Sequence, residues 1–140
     1  MQTQVKAGDM AAANTLGDAY YYGRDGAAQD KVKAVAYYRL AAEGGNSAGQ
    51  YNLGYCYLHG VGVQANAGLG IEWLRKSSTN GYTTADYEIG MAARDGVGVE
   101  KQPRVAEQWF LKAAQAGNQW AQSELGRLYL GGYDGVARDE

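Results

Sequence analysis

The chain has one cysteine, one histidine, one proline and one phenylalanine among its 140 residues. A lone cysteine closes no internal disulfide, so the fold must stand on packing alone. One histidine with one cysteine falls short of the three or four ligands of a zinc-type site, and no metal or other cofactor is expected. An excess of one charge is also lacking: 13 basic against 15 acidic residues leave a net charge of −2, scattered singly. Such a balance gives no electrostatic footprint for nucleic acid or an anionic membrane. No apolar run approaches the length of a bilayer span, so direct membrane insertion is not expected. The opening MQTQVKAGDM lacks the apolar core of a signal peptide. The default expectation is a cytoplasmic domain, with a periplasmic or secreted one if a leader has been trimmed away.

What the chain does have is glycine and tyrosine, 21 and 12 residues respectively. Glycine is at roughly twice its usual share. With an apolar fraction of 46% this is not a disordered composition. It suggests short, closely packed elements joined by tight turns, in a chain long enough for one domain.

Those elements repeat. Leu16-Gly17, Leu53-Gly54, Ile89-Gly90 and Leu125-Gly126 follow one another at steps of 37, 36 and 36 residues. Tyr37, Trp73 and Trp109 step by 36, and Gly8, Gly45, Gly81 and Gly117 by 37, 36 and 36. The extra residue falls in the first turn, GRDG (Gly23 to Gly26), where later turns read GVG. A period of this length is the signature of a repeat architecture.

Each unit reads as two helices. Around the Leu-Gly pair, positions −4, 0, +3 and +4 are apolar or small: Gly49, Leu53, Cys56 and Tyr57 in the second unit, and Ala121, Leu125, Leu128 and Tyr129 in the fourth. That spacing is one face of a helix. The second helix carries Ala34, Tyr37, Tyr38 and Ala41, then Ala106, Trp109, Phe110 and Ala113. Asp30 and Asn66 stand where a side-chain oxygen caps its start, and Pro103 suits a first turn. Gly45, Gly81 and Gly117 stand where a left-handed residue ends it. The recurring glycine after each leucine costs about 1 kcal/mol relative to alanine, so its return predicts close helix–helix approach.

A helix pair of this size cannot bury its own apolar face. The expected architecture is all-α, a right-handed α-solenoid of stacked antiparallel helix pairs. Its units span about 9–45, 46–81, 82–117 and an incomplete 118–140. The opening QVKAG and closing GYDGVARD match the end of one second helix and the approach to another, which hints at a segment of a longer array. Apolar faces left open at its ends would favour end-to-end self-association.

LGYCYLHGVGV (Leu53 to Val63) and AEQWFLKAAQAG (Ala106 to Gly117) carry a family resemblance. The pattern resembles Sel1-like repeats, relatives of the tetratricopeptide repeat, over nearly the whole chain. Ala93 departs from it in place of a tyrosine, and Gly70 in place of an alanine. The cysteine pair of some secreted members is missing. The resemblance implies adaptor and scaffold roles in assembling complexes, without naming a partner.

In such an array the first helices line the concave face. Offsets −5, −2, +2, +5 and +6 from each core leucine lie about 140–240° around the helix from it. The stripe comprises Asn14, Asp18, Tyr21 and Tyr22; Ala48, Tyr51, Tyr55, Leu58 and His59; Thr84, Tyr87, Met91, Arg94 and Asp95; and Trp120, Ser123, Arg127 and Leu130. Six aromatic rings on an exposed stripe suggest a binding groove, since rigid amphipathic rings give contact area at low entropic cost. Arg94 and Arg127 add forked donors. The expectation is a non-catalytic module that binds another protein, as a peptide or partner helix, in a concave tyrosine-rich groove. Sideways packing of some rings between repeats is the bland alternative.

Two other classes draw on the same residues. Stacked rings could hold a carbohydrate. Cys56 with His59 could serve a thiol-dependent hydrolase, although Cys56 occupies a core slot that suits an inert buried residue. GVGV at Gly60 and Gly96 lies between helices, without the strand and lysine of a phosphate loop. No catalytic residue is assigned.

Overall fold

The computed structural model describes residues 7–131. Seven helices follow in order: α1 (Ala7–Tyr22), α2 (Lys31–Glu43), α3 (Ser47–His59), α4 (Ala67–Thr79), α5 (Thr83–Asp95), α6 (Pro103–Gln115) and α7 (Gln119–Gly131). Among the described residues there is no strand, and each helix packs on its neighbours in sequence. α1 also touches α3, and α3 touches α5, so the first helices of successive units lie side by side. The fold is an all-α repeat solenoid.

Local signals set the helix ends. Asp30 Oδ1 accepts from the Lys33 N–H at 3.0 Å, and Asn66 Oδ1 from that of Leu69 at 3.1 Å. Both satisfy orphan donors of the first turn. Asn46 does the same for α3 and Asn118 for α7. Pro103 opens α6, where no N–H is missed. Gly60 and Gly96 close α3 and α5 in the left-handed region, at φ 68° and 74°. In the longer first turn Asp25 takes φ 58°, the only described non-glycine residue with positive φ.

The core runs between the two layers of helices. Leu53, Leu74, Ile89, Phe110 and Leu128 are all but fully buried. In the first three units the glycine that follows the leucine or isoleucine, Gly17, Gly54 or Gly90, is where the second helix comes closest. A Cβ on Gly54 would stand 2.9 Å from the Gly70 carbonyl oxygen and from Leu74 Cγ, and one on Gly90 would stand 2.7 Å from the Phe110 ring. Real Cβ atoms do not approach that closely, so glycine here is a packing requirement.

Two core expectations need correction. The largest buried side chain of each second helix is Tyr38, Leu74 or Phe110, one position past the aromatic ruler. Tyr37, Trp73 and Trp109 are half-buried. Tyr37 stacks on Tyr20, and lysines sit over the two tryptophans, Lys76 on Trp73 at 4.4 Å and Lys112 on Trp109 at 5.3 Å. These amphipathic rings cover the seam and hold cations on their faces. Leu16, matched to Leu53 by the repeat, is 45% exposed. Among the described residues, α1 has helices on one side only.

Hydrogen bonds lock successive units at one register position. Gln50 Nε2 donates to the Ala42 carbonyl at 3.3 Å, and Gln122 Nε2 to that of Ala114 at 3.2 Å. At the intervening seam Asp86 accepts from the Ser78 hydroxyl and lies 3.6 Å from Lys112 Nζ.

Candidate functional site

The first helices present a groove. Tyr21 and Tyr22 from α1, Tyr51 and Tyr55 from α3, Tyr87 from α5 and Trp120 from α7 line a cavity of about 330 Å³. All six aromatic residues of the expected stripe therefore meet on one surface. Thr84, Asn52, Glu88, Tyr38 and Cys56 complete the lining. A second chamber of about 240 Å³ adjoins it, with Leu58, His59, Met91, Asp95 and Val97. Tyr55, Tyr87 and Glu88 belong to both chambers and form their shared wall.

Helical spacing assembles the rings. Tyr51, Tyr55 and His59 are four residues apart on α3, so they stand one above another. Their centroids are 6.2 Å and then 4.3 Å apart. Tyr87 bridges to Trp120 at 6.1 Å, and Tyr21 meets Tyr22 edge-on at 4.8 Å. Burial raises the phenol pKa of Tyr21, Tyr55 and Tyr87. Tyr51 is raised by burial and then by the Glu88 charge. Every one of these phenols is thus a neutral donor at physiological pH, mounted on an apolar ring.

Glu88 is the charge at the centre. Its side chain is 14% exposed, and its oxygens lie 3.4 Å from the Tyr51 hydroxyl and 3.9 Å from His59 Nε2. Burial raises its pKa above the ordinary carboxylate value, outweighing His59 and the Tyr51 hydrogen bond, which both lower it.

The remaining expected residues are placed differently. Asn14, Asp18, Arg94, Ser123 and Arg127 line neither chamber. Asn14 accepts from Asn52 at 2.8 Å and Asp18 from the Tyr38 hydroxyl at 2.6 Å, so both are engaged in holding helices together. Arg94 binds Glu124 at 2.6 Å and Asp95 at 2.8 Å, and Arg127 reaches the same Glu124 at 3.3 Å. Ser123 is exposed. Leu58, expected on the solvent stripe, is 9% exposed and packs with Ile71, Leu74 and Ile89. The stripe curves into the seam at that point, because α4 and α5 together cover the end of α3.

Asn52 and Glu88 escaped the sequence reading. Both stand one residue before the core leucine, about 260° around the helix and outside the assumed window. A signal was present, for that column reads Thr15, Asn52, Glu88, Glu124, all polar beside the leucine or isoleucine of the repeat.

Cys56 is 1% exposed, and burial pushes its thiol up to about 11. The thiolate is the nucleophile, and this setting suppresses it. His59 faces Glu88 rather than the sulfur. The pair does not form a nucleophile and base.

The chain is similar to known repeat proteins along its length. The Sel1 repeat model matches residues 11–46, 47–82, 83–118 and 121–140. The crystal structure of a Sel1 repeat protein from Oxalobacter formigenes superposes with a TM-score of 0.83 at 32% identity, over 95% of this chain and 52% of that one. A protective antigen of uropathogenic Escherichia coli with an SLR fold superposes with a TM-score of 0.86 at 35% identity, over 94% of this chain and 28% of that one. The ERAD-associated E3 ubiquitin-protein ligase component HRD3B of Arabidopsis thaliana is 45% identical over 56 residues, which is 40% of this chain and 9% of that protein. The chain thus spans under a tenth of that curated relative and about half or less of the two solved ones. With four matched segments and the same helical architecture, the chain belongs to the Sel1 repeat family.

Proposed function

We propose that this chain is a non-catalytic interaction module that holds a peptide or partner helix of another protein along its tyrosine-lined groove. In this reading the four units, about 9–45, 46–81, 82–117 and 118–140, act as one solenoid. The observation that carries it is the convergence of six aromatic side chains from four separate helices on one cavity wall. Tyr21, Tyr51 and Tyr87 also pack on the core, whereas Tyr22 and Trp120 are exposed, and binding hot spots favour such rings. The relatives point the same way. One is named as a component of a ubiquitin ligase, and a subunit of an assembly needs docking surfaces rather than a reaction centre. The buried, proton-bearing Cys56 supports a module without thiol chemistry.

The test is the double substitution Tyr55→Ala with Tyr87→Ala, which removes the wall shared by both chambers. Affinity capture from the native host should recover a partner with the wild type and lose it with a folded double variant. Equal recovery by both proteins would remove the groove from consideration.

A further inference from the structure

We propose that the groove is selective for cations, and that its ligand is a basic side chain of a protein partner, lysine or arginine, clasped between Tyr51, Tyr55 and Tyr87 with its charge on Glu88. This rests on the groove reading above and gives its partner a chemistry.

Three observations carry it. The first is the lining: neither chamber has a lysine or arginine among its described residues, while Glu88 belongs to both. The basic group beside it is the His59 imidazole, at 3.9 Å. A carboxylate shielded from water and matched only by an imidazole and a phenol is an incomplete electrostatic arrangement.

The second is what other rings of this chain do, at the α1 end of the same groove and outside it. Lys31 sits over Tyr21 at 4.9 Å, Arg24 over Tyr22 at 4.8 Å, Lys76 over Trp73 and Lys112 over Trp109. Aromatic faces with an associated lysine or arginine are a recurrent contact in this fold. No such cation is recorded over Tyr51 or Tyr55, the rings nearest Glu88, among the described residues. A partner's basic side chain would fill this gap by the same attraction between a cation and a ring face.

The third is shape and selectivity. The aliphatic stem of lysine or arginine packs on ring surface while its head reaches a charge. The larger chamber, about 330 Å³, leaves room for that stem and for neighbouring backbone. An acidic side chain would instead meet Glu88 and, in the adjoining chamber, Asp95. Arg94 and Arg127 act on Tyr87 from the α7 side but are tied to Glu124 and Asp95, so the cation-seeking stretch is the part around Tyr51, Tyr55 and Glu88. Tyr phenols and Asn52 supply hydrogen bonds to the peptide backbone on either side.

The experiment pans the intact chain against a random peptide library, then measures selected peptides by titration calorimetry with wild type, Glu88→Gln, Glu72→Gln and the Tyr55/Tyr87 double variant. Glu72 is exposed on α4 and controls for general charge. Circular dichroism checks that each variant is folded. Selected peptides should be enriched in lysine or arginine at one position. Their binding should weaken about tenfold or more in Glu88→Gln, stay within about twofold in Glu72→Gln, and vanish in the double variant. Peptides that need Tyr55 and Tyr87 but show no basic preference, or bind Glu88→Gln equally well, would overturn the cation assignment and leave the groove reading standing. Failure of any peptide to bind the folded wild type would overturn both.

Discussion

Gly54 and Gly126 occupy the same place in the repeat, yet alanine should have opposite effects at the two. A Cβ at Gly54 would meet the Gly70 carbonyl oxygen and Leu74 Cγ at 2.9 Å, and the Leu74 backbone nitrogen at 3.1 Å. Two of those three atoms are backbone, so relief requires α4 to move as a body. Overpacking of this kind costs about 1–3 kcal/mol, against a helix-propensity gain of about 1 kcal/mol. The net is a loss of up to about 2 kcal/mol. At Gly126 no atom of the described residues lies within 4 Å of the added Cβ, and only the propensity gain of about 0.5–1 kcal/mol remains. The two variants should therefore differ by about 0.5–3 kcal/mol, with wild type between them, which for this size is roughly 2–15 °C in Tm. Thermal and urea unfolding followed by circular dichroism reads this directly. A Gly54→Ala protein as stable as wild type would refute the argument that the recurring glycine is there for close approach.

Two further outcomes follow from groups in the groove. The raised pKa of Glu88 means the folded protein holds that proton more tightly than the unfolded chain. Its contribution is therefore full below the ordinary carboxylate value and is lost as pH rises through the raised one. Glu88→Gln, which keeps an acceptor for Tyr51, should be more stable than wild type at pH 7, and that advantage should shrink on acidification. Parallel stability curves across this range would contradict the assignment. Cys56, with its pKa near 11, carries about one thiolate per thousand molecules at pH 8. Iodoacetamide should leave it unlabelled until urea unfolds the protein, and mass spectrometry showing rapid labelling of the native form would refute its burial.

The repeat was legible because it is written in residues with few substitutes. Leucine at a buried position, glycine beneath a neighbouring helix and asparagine at a cap each answer a single steric or hydrogen-bonding demand. That is why Leu53, Gly54 and Asn66 could be assigned their places from spacing alone. The groove was only partly legible. Its six rings fell on the expected stripe because the stripe follows from helical geometry. Glu88 and Asn52 did not, because they sit at the margin between the buried and solvent-facing arcs. There the lean of the adjacent helix decides what faces the cavity. Leu58 went the other way for the same reason, since a period of 100° per residue describes one helix and not the neighbour that covers its end. Leu16 shows a similar limit: its place in the pattern matches Leu53, but burial also needs a packing partner.

The seam contacts give the units an order. Gln50 and Gln122 both donate to a main-chain carbonyl of the preceding helix, so the second and fourth units could exchange places and keep that bond. Asp86, 1% exposed, instead requires the Ser78 hydroxyl and the Lys112 ammonium. Transplanted behind α2, its carboxylate would keep Lys112 of its own unit but meet Ala42 where the Ser78 hydroxyl had been. Units of nearly identical length and outline are thus not interchangeable parts. A shuffled array would be penalised at the joint that loses its hydroxyl donor, so the succession of side chains along the groove is protected by a buried contact on its far side.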